Sequence, residues 1–195
     1  MTVATVPQQT VPRTRPGAQQ ITGERLLAMG DIGPCELIDG RVVRMNPIGR
    51  SHAYVAANLS MTLNQFVRQH KLGEVLVGEI GIFIQRKPDR IRAADVVFVS
   101  KERLAQTTAS GYLMTAPDLV VEIISPTDRW QTVRDKLEEY FAIGVQRVWI
   151  VEPDNRAVLV YRSVTEMSKL GEGDTLLGEG ILEGFVLPVV EIFEE

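Results

Sequence analysis

The pattern of hydrophobic and polar positions predicts two buried strands, and each of them carries an acid. The first is Asp118-Leu-Val-Val-Glu-Ile-Ile-Ser-Pro126, where Glu122 stands inside an apolar run. In an extended strand, Glu122 shares one face with Val120 and Ile124. A carboxylate is rarely buried without compensation, so Glu122 requires a cation nearby if this strand is internal.

The second run, Ala94-Asp-Val-Val-Phe-Val-Ser100, opens with Asp95. If the two strands lie side by side in one sheet, Asp95 and Glu122 offer the oxygen ligands of a hard divalent cation. Mg²⁺ is often held by one or two carboxylates together with water and substrate phosphate. The alternative is that Asp95 merely begins a strand and Glu122 lies at an exposed edge.

A helical pattern follows the Glu122 strand, and one charged residue lies on its apolar side. At about 100° per residue, Lys136 falls inside the apolar arc. The other members of the arc are Trp130, Val133, Leu137, Tyr140, Phe141 and Ile143. A lysine can snorkel out of such a position. It can also approach Glu122, where it would orient a water or stabilise charge on a phosphate.

The remaining pattern predicts an α/β (α+β) fold, a mixed β-sheet flanked by helices and extended by β-hairpins. Further helices are predicted around Leu26 and over residues 51–70 and 101–106. Further strands are predicted over residues 35–38, 42–45, 75–77, 81–84, 147–151, 158–161, 174–177 and 181–182. Helix 130–143 has the length expected of the crossover in a βαβ unit.

Composition fits one such domain. The 195 residues are 45% hydrophobic and 24% charged, which suffices for a proper core. We expect the domain to span residues 21–195, after a flexible, proline-containing tail at residues 1–20. The lone Cys35 excludes an intramolecular disulfide. Without a signal peptide or a long apolar run, we expect a soluble, cytoplasmic protein with no membrane partner.

Charge argues against broad affinity for nucleic acid. The net charge is −4 and the isoelectric point is about 5.4, whereas backbone binding depends on lysine and arginine. A basic cluster does surround Pro88-Asp89; it comprises Arg86, Lys87, Arg90 and Arg92. We expect a solvated hairpin turn there, with contact to a nucleic-acid backbone as the alternative. Glycine-rich phosphate loops and paired cysteines are absent from the sequence, which excludes the usual nucleotide-binding and zinc motifs.

Taken together, these segments resemble the Uma2 family, a bacterial group in the restriction endonuclease-like PD-(D/E)XK superfamily. The resemblance covers most of the chain and depends on the order and spacing of several segments. They are Glu36-Leu-Ile-Asp-Gly40 with Arg41-Val-Val-Arg-Met45, a helix beginning near Ser51-His52, the Asp95 strand, Val121-Glu-Ile-Ile-Ser-Pro126, Lys136-Leu-Glu-Glu-Tyr140, Gly144-Val-Gln-Arg-Val-Trp-Ile-Val-Glu-Pro153 and Gly184-Phe-Val-Leu-Pro-Val-Val-Glu-Ile-Phe193.

The resemblance implies a metal site. Asp95 and Glu122 match the metal-binding acids of the superfamily, and Glu36 matches an additional acid that binds metal or water. Two positions depart from the motif, because Ala94 replaces its proline and Ile124 replaces its lysine. In Uma2-like proteins the lysine lies on the following helix, as Lys136 does here.

The function that follows is an endonuclease that hydrolyses phosphodiester bonds, most simply in DNA, with Mg²⁺ or Mn²⁺ as cofactor. Its expected catalytic residues are Glu36, Asp95, Glu122 and Lys136, and its candidate accessory residues are His52, Glu79 and Tyr140. His52 could bond a phosphate or water near Glu36, although a surface position at a helix start is the simpler interpretation. Glu79 could join the acids, although a turn position is the simpler interpretation.

Two alternatives stay open. The fold could be retained in an inactive nucleic-acid- or protein-binding module, including a homodimer, or the substrate could be RNA. Convergence of Glu36, Asp95, Glu122 and Lys136 within a few ångströms favours the enzyme. Packing of Lys136 on Tyr140 alone would count against it.

Overall fold

The computed structural model describes residues 20–106, 111–125 and 128–194. The predicted tail therefore lies outside the described residues, except for Gln20. The helices are α1 (Gly23–Ala28), α2 (Arg50–Gln69), α3 (Lys101–Leu104), α4 (Trp130–Ala142) and α5 (Val189–Phe193). The strands are β1 (Cys35–Ile38), β2 (Arg41–Arg44), β3 (Gly73–Gln85), β4 (Arg90–Ser100), β5 (Leu119–Ile123), β6 (Arg147–Glu152), β7 (Ala157–Tyr161), β8 (Met167–Leu170), β9 (Thr175–Leu177) and β10 (Val186–Pro188).

Eight of the described strands form one mixed sheet. Seven of them follow the order β2-β1-β4-β5-β6-β7-β8, and β3 pairs with the opposite edge of β4. Strands β5 and β6 are parallel and are joined by α4, which confirms the predicted βαβ unit. The other pairs in the sheet are antiparallel, and β9 and β10 form a separate antiparallel pair.

The helices cover both faces of the sheet because their apolar residues recur at helical spacing. Four buried side chains on α2, spaced four residues apart, pack on one face; they are Val55, Leu59, Leu63 and Val67. Helix α4 packs on the other face through Val133, Leu137 and Tyr140. This architecture confirms the predicted mixed sheet flanked by helices. None of the helices in the described chain is both long and apolar enough to cross a membrane.

Strand β5 is buried at every position, as expected of a strand inside a sheet with both faces covered. Val121 and Ile123 pack on the α2 side, and Val120 packs on the α4 side. Alternation therefore directs Glu122 towards α4. This arrangement confirms the facing predicted from the sequence.

Strand β3 is one long strand and not the two strands expected. Val77 pairs with Val96 and Ile80 pairs with Ala94. Two residues of β3 between these pairs therefore lie opposite one residue of β4. This is a β-bulge, and the prediction that Glu79 lies in a turn between strands was wrong. The Gly-Glu pair has the composition of a turn, but pairing to the 11-residue β4 continues on both sides of it.

Strand β4 begins at Arg90, before the apolar run that predicted it. Arg90 and Arg92 therefore belong to the sheet, and the expectation that they lie in a solvated turn was wrong. Arg86 and Lys87 do lie in the turn that joins β3 to β4. The physical reason is that ion pairs to neighbouring elements compensate the two guanidinium groups, which periodicity along the chain cannot detect.

Two further expectations differ from the structure. Trp130 is 51% exposed although it falls in the apolar arc, because it is the first residue of α4. Residues 181–182 belong to a 3₁₀ turn (Gly180–Leu182), and β9 pairs instead with β10.

Candidate active site

The candidate site lies where β1 and β5 separate along one edge of β4. Strand β1 pairs with β4 at Ile91, and β5 pairs with β4 from Val96 onwards. The backbone of Ala93 on β4 therefore lies between these two ladders. The Ala93 N–H donates to Oε1 of Glu36 at 3.2 Å, and its carbonyl accepts from Nζ of Lys136 at 2.9 Å. Side chains from β1 and α4 thus satisfy backbone groups that a continuous neighbouring strand would otherwise satisfy.

Glu122 is buried at this fork and is bound by two side chains of α4. Nζ of Lys136 lies 2.9 Å from Oε2 and 3.1 Å from Oε1 of Glu122. The Tyr140 hydroxyl donates to Oε1 at 2.5 Å. Lys136 and Tyr140 are four residues apart and therefore point from the same face of the helix. The cation beside the buried acid is Lys136.

Glu36 joins this group from β1 and brings a second cation with it. Its Oε1 lies 3.3 Å from Nζ of Lys136, and its Oε2 accepts from Nη1 of Arg92 at 2.8 Å. Arg92 also donates from Nε to Oε2 of Glu139 at 2.5 Å and from Nη2 to Oε1 at 3.1 Å. Sequence reasoning missed Arg92 and Glu139 as members of the site. Apolar periodicity gives no signal for either residue, because the charges that compensate them are distant in sequence.

Asp95 is held by the backbone of β5 and by a side chain of α2, and not by Lys136. Its Oδ2 accepts from the backbone N–H of Ile123 at 2.7 Å and lies 3.3 Å from Nε2 of His52. The His52 side chain is only 13% exposed, so the surface interpretation of His52 was wrong. Its Nδ1 is buried and has no hydrogen-bond partner among the described residues. His52 contacts Asp95, whereas the sequence had placed it near Glu36.

The bulge in β3 lies directly opposite Asp95. It contains Gly78 and Glu79, with φ angles of +101° and +56°. Burial and the negative charge of Asp95 raise the pKa of Glu79, against the opposing influence of His52 and Lys136. Glu79 therefore belongs to the electrostatic surroundings of the acids. Bulges are common beside active sites, where they redirect a side chain.

Burial and pairing move the pKa values of the cluster in different directions. Burial raises the pKa of Glu122 to about 7, and Lys136 only partly offsets it. Burial also acts on Glu36, but Lys136 and Arg92 outweigh it and lower its pKa. Burial disfavours the Lys136 ammonium, yet the carboxylates of Glu122 and Glu36 outweigh that effect and raise its pKa. The lysine is therefore fully charged near neutral pH.

A model of the family described as "Uma2: Putative restriction endonuclease" matches residues 24–190. The chain belongs to the Uma2 family. A crystal structure described as "a putative nuclease belonging to DUF820", from Anabaena variabilis ATCC 29413, has a similar fold with a TM-score of 0.75. The match has 20% sequence identity and covers 89% of this chain and 97% of that one. At this identity the likeness concerns the fold. Comparison with curated proteins finds no match.

In this Uma2 protein, the predicted site residues form two connected groups. Glu36, Glu122, Lys136 and Tyr140 are in direct contact. Asp95 forms a second group with His52, joined to the first through the backbone of Ile123, the residue after Glu122. Lys136 binds both Glu122 and Glu36 and does not merely pack on Tyr140.

The carboxylates of the Uma2 site have the chemistry of a hard-metal site, because their oxygens are the ligands that Mg²⁺ and Mn²⁺ take. Asp95 and Glu122 are the next residues along the β4–β5 ladder after the Val96–Val121 pair. Within the described ranges, no three His, Cys, Asp or Glu side chains are grouped closely enough to hold an ion. Asp95 and Glu122 are two carboxylates at neighbouring positions of the ladder, and they would hold a divalent cation together with water and substrate oxygens.

Proposed function

We propose that this Uma2 protein is an endonuclease that hydrolyses phosphodiester bonds in DNA with Mg²⁺ or Mn²⁺ as cofactor. The observation that carries the proposal is the meeting of Glu122, Glu36 and Lys136 at the fork in the sheet, beside Asp95. Ion pairs at this depth cost desolvation energy, and well-packed apolar residues would serve stability as well. Such a cluster is therefore better explained by chemistry than by packing.

Asp95 and Glu122 would hold the metal, and Glu36 would complete the site beside Lys136. A divalent ion there would lower the pKa of a bound water and offset negative charge on the scissile phosphate. Lys136 keeps a positive charge near the acids, where it can orient the attacking water or stabilise the negative charge that develops on the phosphate. Tyr140 orients the Glu122 carboxylate, and His52 orients that of Asp95.

The family is described as a restriction endonuclease and the Anabaena protein as a nuclease, which supports nuclease chemistry; a restriction endonuclease acts on DNA and not on RNA. The net charge of −4 argues against a wide basic surface that attracts the DNA backbone. Binding would then depend on the metal and on Lys136 more than on general attraction of the backbone.

The test is cleavage of supercoiled plasmid, linear duplex DNA, single-stranded DNA and RNA, each with Mg²⁺, with Mn²⁺ and with EDTA. We expect metal-dependent cleavage of DNA. Glu122→Gln and Lys136→Ala should each abolish it while circular dichroism shows a retained fold. Glu102→Gln and Lys101→Ala, at exposed positions of α3, are matched controls that should cleave like wild type. Wild-type activity in either site variant would contradict the assigned roles.

A second candidate function, an inactive binding module, is favoured by one observation. Lys136 already compensates both Glu122 and Glu36, so the cluster has a cation without any metal. DNA binding in a gel-shift assay, with no cleavage and no detectable Mn²⁺ binding, would favour this function over the nuclease.

A further inference from the structure

Both carboxylate oxygens of Glu36 are occupied by groups of the protein. Oε1 accepts from the Ala93 N–H and lies 3.3 Å from Nζ of Lys136, and Oε2 accepts from Nη1 of Arg92. The residue is 6% exposed. A metal ion on Glu36 would therefore lie next to an ammonium and a guanidinium, and like charges at such distances repel. Glu122 differs in two respects: its one cationic partner among the described residues is Lys136, and Asp95 follows it across the β4–β5 ladder. Glu36 has two cationic partners, Lys136 and Arg92, and is therefore the acid less suited to bind a metal and better suited to hold cations.

Arg92 fixes the direction of Glu36 because it is itself fixed on its other side. Its side chain is 8% exposed, and its planar guanidinium binds Glu36 through one nitrogen and both oxygens of Glu139 through the others. Arg90 binds Glu139 as well, from Nη1 to Oε1 at 2.5 Å. Glu139 follows Lys136 by three residues on α4, so this contact also fixes the helix that carries the lysine.

The result is one continuous series of alternating charges that ends at the candidate site. It crosses from the β1–β2 turn through β4 and α4 to β1 and β5. Its members, in order, are Asp39, Arg90, Glu139, Arg92, Glu36, Lys136 and Glu122. Every inner member touches a charge of opposite sign on both sides, so the position of Lys136 depends on groups that are remote from Asp95 and Glu122.

We propose that Glu36 is a positioning residue for Lys136 and not a metal ligand. Arg92, which is held by Glu139, fixes the orientation of the Glu36 carboxylate. The inference rests on the proposed nuclease function and refines it by separating the metal-binding acids from the acid that orients the lysine. Removing Glu36 or Arg92 then slows the chemical step, because Lys136 loses its orientation, but leaves metal binding intact.

The first test is metal binding measured by calorimetry with Mn²⁺ alone. Glu36→Gln and Arg92→Gln should bind Mn²⁺ within about twofold of wild type, whereas Asp95→Asn should bind at least about tenfold more weakly. Arg162→Gln, which removes a partly buried arginine–glutamate pair away from the site, is the matched control. A tenfold loss of Mn²⁺ affinity in Glu36→Gln would overturn the inference while leaving the proposed function standing.

The second test is a double-mutant cycle on DNA cleavage. Glu36→Gln and Arg92→Gln should each lower kcat by about tenfold or more with little change in KM, because neither touches substrate. If Arg92 acts through Glu36, the double variant is no slower than the slower single variant, within about twofold. Multiplication of the two effects would overturn the assignment of Arg92.

The variant Arg92→Lys serves as a control for the possibility that Arg92→Gln lowers kcat through a loss of folding. In Arg92→Gln each acid still keeps one cation, Lys136 for Glu36 and Arg90 for Glu139. In Arg92→Lys a positive charge remains, and we expect kcat to recover partly relative to Arg92→Gln. Equal kcat in the two variants would also overturn the assignment. A wild-type protein that neither binds Mn²⁺ nor cleaves DNA would overturn the proposed function and the inference together.

Discussion

The ammonium of Lys136 lies 2.9 Å from Oε2 of Glu122, across the boundary between helix α4 and strand β5. This contact joins the helix of the βαβ unit to its first strand, beside the apolar side chains through which the two elements pack. Breaking a buried pair leaves an uncompensated charge, which costs far more than a surface ion pair. The contact that we assign to catalysis should therefore also affect the free energy of unfolding.

Replacing Lys136 by methionine should destabilise the metal-free protein by about 3 kcal/mol at pH 8. Without the ammonium, the pKa of Glu122 rises further above its already raised value, because Lys136 is the main group that lowers it. A raised pKa in the folded state means that stability falls as pH increases, so the loss should be smaller at pH 5.5.

Urea denaturation at both pH values, without divalent ions, measures this effect. Lys101→Met, at an exposed position of α3, should be close to wild type at both. An equal loss at pH 5.5 and pH 8 would show that Glu122 is not the group left uncompensated.

Replacing His52 tests whether its contact orients Asp95, and replacing His70 is the matched control. His52→Gln should lower kcat/KM for DNA by about tenfold, because the Asp95 carboxylate loses its orienting partner. His70→Gln, at the exposed C-terminal end of α2, should cleave like wild type. Steady-state cleavage assays on both variants check the prediction, and a similar loss in both would argue against a specific role for His52.

The charge of Glu79 should contribute to metal affinity. Glu79→Gln removes a negative charge near Asp95 and keeps the size of the side chain in the bulge, so we expect about threefold weaker Mn²⁺ binding. Glu74→Gln, exposed on the same strand, should leave binding unchanged. Calorimetry distinguishes the two, and unchanged affinity in Glu79→Gln would place Glu79 outside the site.

A pH effect on stability is expected far from the site, at Glu179. Arg162 and Arg147 lower the pKa of this acid below 4.5, more than burial raises it. A lowered pKa in the folded state stabilises the protein above the unfolded-state value and loses this effect as pH falls through the folded-state value.

Glu179→Gln should therefore cost about 0.5–1 kcal/mol at pH 7 and less at pH 3. Denaturant titrations at the two pH values measure the difference. A constant loss would mean that packing of the side chain matters here and that its charge does not.

Much of the fold was predictable because hydrophobic residues recur at regular spacing in its helices and inner strands. The α2 stripe, the facing of Glu122 and the inward position of Lys136 all follow from spacing along the chain. The bulge at Glu79 was not predictable, because a Gly-Glu pair in an apolar run resembles a turn. The strand position of Arg92 was not predictable from apolar alternation, because its burial depends on acids that are distant in sequence.

The sequence by itself determined the elements and the orientation of side chains within each, because these depend on periods of 2 and about 3.6 residues. It therefore predicted that a buried acid and an inward lysine follow one another at β5 and α4. Only the tertiary structure decided that β1 and β5 share one edge of β4, which brings Glu36 to Lys136 and leaves Asp95 to His52. Strand pairing over such separations depends on the packing of the whole sheet, which no local pattern encodes.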